Sequence, residues 1–270
     1  MPHFTNDGII WHYDIDGENG EVLLFIHGWG VDKRVWRQQI KYLSGSFRVM
    51  TVDLPGHGKT SWQKVSLSHM AHGIKNILAK ENIKKVSVIG SSVGGMLALK
   101  LYEAHPALIK RLVFVGSMPK FARTQEYPYG LDVLAMRKLG IQLETNYPST
   151  VNVFFRSLFT KEERESRRFK WLQKFRQTDE VPLREALISY LDILEVEDLR
   201  ETLKRANIPI QFINGTGDTI CNRQTVSFLR RLLPRARFDD FEQCGHFPFL
   251  SKPHEFNQVL EDFLKDGAYP

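Results

Sequence analysis

The sequence predicts an α/β fold, a mostly parallel twisted sheet flanked by helices with a helical cap inserted into it, on three observations. Short apolar runs alternate with helical segments along most of the chain, the order that yields parallel strands covered on both faces. The alternation stops between about Met118 and Ile188, where Pro119, Pro128, Pro148 and Pro182 punctuate aromatic and basic helical stretches. Gly90-Ser91-Ser92-Val93-Gly94 joins an apolar run to a helical one, and glycines on both sides let the backbone turn sharply so that the middle side chain projects clear.

The strands are read from period and composition. Gly8 to Tyr13 and Glu21 to His27 come first, then Phe47 to Asp53 and Lys85 to Gly90. Ile109 to Val115, Ile210 to Asn214 and Arg237 to Phe241 supply the later runs, and Glu255 to Leu264 closes the chain as an amphipathic helix. The expected division is a core over 1–117 and 191–270 with a helical cap over 118–190. The chain would return to the sheet through a helix around Leu199 to Arg205. Such a cap lies over the C-terminal ends of the strands, where open α/β sheets place their ligands.

A chain of 270 residues is long enough to bury a substantial core. No apolar stretch reaches the roughly 18 to 20 residues needed to span a bilayer. The start, Met1-Pro2-His3-Phe4-Thr5-Asn6-Asp7, lacks a basic region followed by an apolar one. A cytoplasmic protein is expected, with no membrane partner, and a monomer. Cys221 and Cys244 are too few for a disulfide framework and lack metal-site spacing; they read as free thiols, a bridge between them being the alternative. Gly28 and Gly30 sit in no nucleotide-binding pattern, so no cofactor is expected. The net charge of +6 is concentrated: Arg156, Lys161, Arg164, Arg167, Arg168, Lys170, Lys174 and Arg176 face only Glu162, Glu163 and Glu165. That distribution argues against nucleic acid and fits a solvated helix face or a docking surface.

A serine hydroxyl attacks well only when a base takes its proton, and the base needs a partner that fixes its tautomer. Ser92 is the candidate nucleophile, although the pentapeptide alone equally suits a turn with a capping serine. Asp218 follows the run Ile210 to Asn214, and His246 lies in Cys244-Gly245-His246-Phe247-Pro248 after Arg237 to Phe241. Taken singly, either could be an ordinary loop residue. Together they complete a serine, acid, histidine order with every member at a strand end. Negative charge on a tetrahedral intermediate also needs donors. The amide of Trp29, within His27-Gly28-Trp29-Gly30, and the amide of Val93 at a helix start are the candidates, with the Trp29 ring walling the pocket. Asp53, His27 and His57 read as groups that brace loops.

These residues resemble the α/β-hydrolase superfamily across nearly the whole chain. The likeness is carried by His27-Gly28-Trp29-Gly30, Asp53-Leu54-Pro55-Gly56-His57-Gly58, Gly90 to Gly95, Asp218 and Gly245-His246. Val35-Trp36-Arg37, Gly116 to Phe121 and Thr150 to Phe155 make it similar in particular to the pimeloyl-acyl-carrier-protein methyl ester esterases of biotin synthesis. Ser91 stands where that family often has a bulkier residue, and His57 where an aromatic is common. The resemblance implies a serine esterase that cleaves a methyl ester at the far end of an acyl chain. It implies Phe154 as the aromatic lining the acyl channel. It also implies Arg164 and Arg168, four apart on an expected helix, as contacts to an acidic carrier protein. Two other readings stand beside it: the same fold and triad cleaving another small ester, a lactone or a carbon–carbon bond, and a receptor that only holds a ligand. The cap discriminates the first from the esterase, since fixed arginines facing Ser92 would favour a small anion and an apolar channel a long acyl chain.

Overall fold

The computed structural model describes residues 2–176 and 181–266, the side chains of 174–176 excepted. The strands are β1 (His3–Asn6), β2 (Ile9–Asp16), β3 (Val22–Ile26), β4 (Arg48–Val52), β5 (Val86–Ser91), β6 (Ile109–Val115), β7 (Ile210–Gly215) and β8 (Arg237–Phe241). The helices before β7 are α1 (Arg37–Leu43), α2 (Leu67–Lys80), α3 (Val93–Ala104), α4 (Val133–Asn146), α5 (Ser149–Ser157), α6 (Lys161–Glu165), α7 (Arg167–Arg176), α8 (Arg184–Val196) and α9 (Arg200–Arg205). Three follow it: α10 (Arg223–Leu232), α11 (Pro248–Ser251) and α12 (Pro253–Lys265). Among the described residues no helix is long and apolar enough to cross a membrane.

The spatial order is β1-β2-β4-β3-β5-β6-β7-β8. β3 to β8 run parallel, and β1 and β2 are antiparallel additions at one edge. From β3 the chain steps to β4 on one side and then returns to β5 on the other. That reversal opens a crevice at the C-terminal ends of β3 and β5. The register sets Ile26 opposite Gly90 and Ser91 opposite Val115, so the loops that begin at His27, Ser92 and Gly116 leave the sheet side by side.

Burial on both faces explains the continuous apolar runs. Leu24, Ile26 and Val88 point to one side, where α2, α3 and much of the helical segment between β6 and β7 pack. Leu23, Phe25 and Ile89 point to the other, against α1, α11 and α12, as a side-chain period of two requires.

The structure corrects two expectations. The strand expected from Gly8 to Tyr13 is present as β2 but is one arm of a hairpin whose other arm, β1, was not expected: the two meet at Asp7-Gly8, both with positive φ (48° and 80°), and Asn6 pairs with Ile9. An Asp-Gly pair supplies that turn geometry directly. The single helix expected to carry Arg164 and Arg168 is two, α6 and α7, separated by Ser166 in an extended conformation (φ −70°, ψ 152°). The Ser166 hydroxyl accepts the Phe169 N–H at 3.1 Å and donates to Glu163 O at 2.6 Å, ending one helix and capping the next.

Candidate active site

Ser92 occupies the turn between β5 and α3 with φ 53° and ψ −123°, a conformation costing roughly 1–3 kcal/mol for a residue with a side chain. The surroundings hold it there. Its N–H donates to Val115 O at 3.0 Å, and the Ser117 hydroxyl donates to its carbonyl at 2.6 Å. Gly94 must lack a side chain because a Cβ there would lie 2.5 Å from the carbonyl oxygens of Ile26 and His27. The first turn of α3 can therefore pack directly on the end of β3.

Asp218 and His246 come from the loops after β7 and β8. His246 Nδ1 lies 2.8 Å from Asp218 Oδ2, with both side chains buried. The second carboxylate oxygen accepts the Ile220 N–H at 2.7 Å. A carboxylate only accepts, so Nδ1 carries the proton and Nε2 is left with its lone pair. Gly116, at φ 55° after β6, supports the ring from the side: a Cβ there would be 2.9 Å from His246 Nδ1. In the sequence Gly116 stands out only as part of the family likeness. A glycine directly after a buried strand is the signal that could have marked it.

Trp29 follows β3. Its indole N–H donates to Leu187 O on α8 at 2.9 Å, and its ring meets Phe154 of α5 edge to face at 4.8 Å. Gly28 brings this loop against the nucleophile, since a Cβ there would be 3.1 Å from Ser92 Cβ. Val93 is the first residue of α3, so its N–H is among the donors that a helix start leaves unpaired. The two amides suited to an oxyanion thus belong to loops leaving adjacent strands.

Two buried imidazoles brace the Trp29 loop. His27 Nε2 accepts the Leu54 N–H at 2.9 Å, and its Nδ1 lies 2.8 Å from Gly28 O. His57 lies with its Nδ1 3.2 Å from Pro55 O, and its Nε2 accepts the Gly30 N–H at 3.4 Å. Asp53 accepts from the Lys33 N–H at 2.9 Å and from Lys33 Nζ at 3.2 Å. Burial holds His27 at about 4 and His57 at about 3, against about 6.5 in an unfolded chain. As pH falls, the unfolded chain takes up these protons first. Stability is therefore full above about pH 6.5 and declines toward pH 4 and then 3, by up to about 1.4 kcal/mol per pH unit for each histidine. Urea unfolding between pH 7 and 5 is expected to show this slope, reduced in His57→Gln; an unchanged slope in that variant would remove His57 from the account.

Ser92 and His246 open onto one narrow cavity of about 50 Å³ whose other walls include Trp29, Phe121, Met136, Phe154, Leu191 and Leu194. The walls come from the β3 loop, from the stretch after β6 and from α4, α5 and α8. Among the described residues its lining holds no lysine, arginine, aspartate or glutamate.

The basic segment is less uniform than its sequence. Arg156, Lys161, Arg167 and Lys170 are exposed, whereas Arg168 is half-buried with its Nε–H donating to Leu250 O. Arg164 is half-buried, and the side chains of Lys174 and Arg176 lie outside the described residues. Cys221 and Cys244 are both buried and free. Among the described residues no cluster of three or more histidine, cysteine or acidic side chains could hold a metal ion.

Residues 21–253 match the alpha/beta hydrolase fold family. The chain is 33% identical over 246 residues to the pimeloyl-[acyl-carrier protein] methyl ester esterase of Nitrosomonas europaea, covering 91% of this chain and 96% of that protein. It is 31% identical over 259 residues to the enzyme of the same name from Yersinia enterocolitica, covering 95% and 98%. Among solved structures, the enol-lactonase from Burkholderia xenovorans LB400 superimposes with a TM-score of 0.88 at 21% identity, covering 98% of this chain and 100% of that one. An esterase from Exiguobacterium antarcticum gives 0.87 at 23%, covering 96% and 97%.

Proposed function

The chain belongs to the alpha/beta hydrolase fold family and is a hydrolase acting on ester bonds, and we propose that it cleaves the methyl ester of a pimeloyl chain held on an acyl-carrier protein. The relatives named above carry that substrate in their names. The observation that carries the reading here is the cavity: Ser92 and His246 line a small space whose other walls are apolar. A neutral methyl ester can enter it, whereas an ionised carboxylate would lose its hydration with no cation to compensate. The acid produced is disfavoured in the same place, which promotes its release. An apolar channel, rather than arginines facing Ser92, favours the acyl chain over a small anionic substrate.

In the mechanism, Ser92 Oγ attacks the ester carbonyl while His246 Nε2 takes its proton. The amides of Trp29 and Val93 hold the oxyanion. His246 then protonates departing methanol, and water releases the acyl group from Ser92 by the same route in reverse. Asp218 keeps Nδ1 protonated and stabilises the imidazolium. Helices 118–190 act as a cap whose inner face is the channel, with Trp29 and Phe154 as its aromatic walls. An acidic carrier would meet the basic segment on its outer face, through Arg164 with exposed Lys161, Arg167 and Lys170. Arg168, turned onto Leu250 O, serves that surface from beneath.

Mass spectrometry of a methyl-pimeloyl carrier conjugate tests the substrate. Loss of the methyl group with the thioester intact is expected from the native chain. No loss, with nitrophenyl butyrate still hydrolysed, would keep the esterase and discard this acyl substrate.

A further inference from the structure

The capping box of α6 contains a carboxylate that reaches beyond its own helix. Thr160 Oγ1 accepts the Glu163 N–H at 3.2 Å, and Glu163 Oε2 accepts the Thr160 N–H at 2.7 Å. A capping box asks nothing more of that side chain. Here the same Oε2 also accepts the Gly245 N–H at 2.9 Å, from 82 residues away, and Oε1 accepts the Cys244 thiol proton at 3.2 Å. Two of its three donors are thus the residues directly before His246.

The packing leaves this loop little freedom. Leu158 O accepts the His246 N–H at 2.8 Å. A Cβ on Gly245 would lie 2.3 Å from Leu158 O and 3.0 Å from Glu163 Oε2, so the loop lies against the helical segment with no side chain between. On its other side Cys244 O accepts the Gly217 N–H at 2.8 Å, tying it to the turn that carries Asp218. Burial and the adjacent carboxylate push the Cys244 thiol up, which keeps it a donor.

We infer that Glu163 is a positioning residue for His246: its carboxylate anchors Cys244 and Gly245 and thereby sets where the imidazole meets Ser92. This rests on the serine-esterase reading above. A displacement of about 1 Å at a reacting group can cost on the order of 10²-fold in rate. Leu158 and Glu163 thus both hold the loop carrying His246.

The test uses the full chain, nitrophenyl butyrate kinetics and the rate at which a fluorophosphonate labels Ser92. Glu163→Ala is expected to lower kcat about 10- to 10²-fold with KM within about twofold. Glu163→Gln should recover most of the rate, because its amide oxygen accepts both N–H groups. Thr160→Ala removes the other half of the capping box and should lower Tm while leaving kcat within about twofold of the native value. If Glu163→Ala does not fold, Glu163→Asp, too short to hold both segments, is expected to show the same loss confined to kcat. Native kcat in Glu163→Ala, or equal losses in Glu163→Ala and Thr160→Ala, would overturn the inference. Failure of the native chain itself to be labelled or to hydrolyse the ester would instead remove the parent reading.

Discussion

Replacing Ser92 by alanine is expected to lower kcat for ester hydrolysis on the order of 10⁶-fold and to abolish fluorophosphonate labelling, with the melting temperature within a few degrees of native. The separation of the two effects follows from how Ser92 is held. Its structural bonds run through its backbone, the N–H to Val115 O and the carbonyl from the Ser117 hydroxyl, and alanine keeps both. Alanine also tolerates φ 53° about as well as serine, so no new strain enters. What disappears is the nucleophile alone. The Trp29 and Val93 amides would still polarise a bound ester toward water, leaving a residual rate of roughly 10³ to 10⁴ over the uncatalysed reaction. Retention of most of the native activity, in protein shown free of wild-type contamination, would falsify Ser92 as the nucleophile.

Much of this site was legible in the sequence because each member follows the end of a parallel strand. β3, β5, β6 and β7 are largely apolar, buried runs that stop at glycine or at a polar turn, β8 is a more polar edge strand, and the observed ends of all five fall within one or two residues of the expected ones. Ser92 was therefore placed between β5 and α3, and Asp218 and His246 after β7 and β8. β1 was missed for the opposite reason: it is a half-exposed edge strand whose only large apolar residue, Phe4, sits among polar neighbours. The break at Ser166 was invisible because Glu-Ser-Arg-Arg contains neither glycine nor proline. The helix ends there through side-chain caps whose partners only the fold supplies. The capping box at Thr160 and Glu163 could be read as a local motif, but that its carboxylate meets Gly245 could not. Contacts between segments decide such features: Gly116 against His246, the apolar lining of the cavity, and Arg168 turned inward onto Leu250 are of this kind. Arg164 and Arg168, four apart in sequence, accordingly lie on two helices rather than on one face of a single helix.

Asp218→Asn is expected to cost on the order of 10⁴-fold in kcat, more than a simple loss of charge at that position suggests, and the Ile220 N–H is the reason. In the native chain that amide donates to Asp218 Oδ1 while Oδ2 faces His246 Nδ1. An asparagine has one oxygen for two claimants. If the oxygen stays with Ile220, the NH₂ group points at Nδ1, which must then accept, and the proton moves to Nε2. The imidazole would present a donor where Ser92 needs a base, and attack is blocked at its first step. If the amide flips, its oxygen restores the tautomer, but its NH₂ then opposes the Ile220 N–H in a buried site, a clash of donors that costs roughly 1–3 kcal/mol. The first orientation satisfies every donor and is the one favoured. The variant should therefore fold with nearly native stability, keep KM for nitrophenyl butyrate, and lose turnover almost entirely. A tenfold loss or less would mean that the amide flips readily and that the hold of Ile220 on Asp218 is weak. An intermediate value accompanied by a lowered melting temperature would show both orientations populated, with the buried donor clash measurable as the difference in stability.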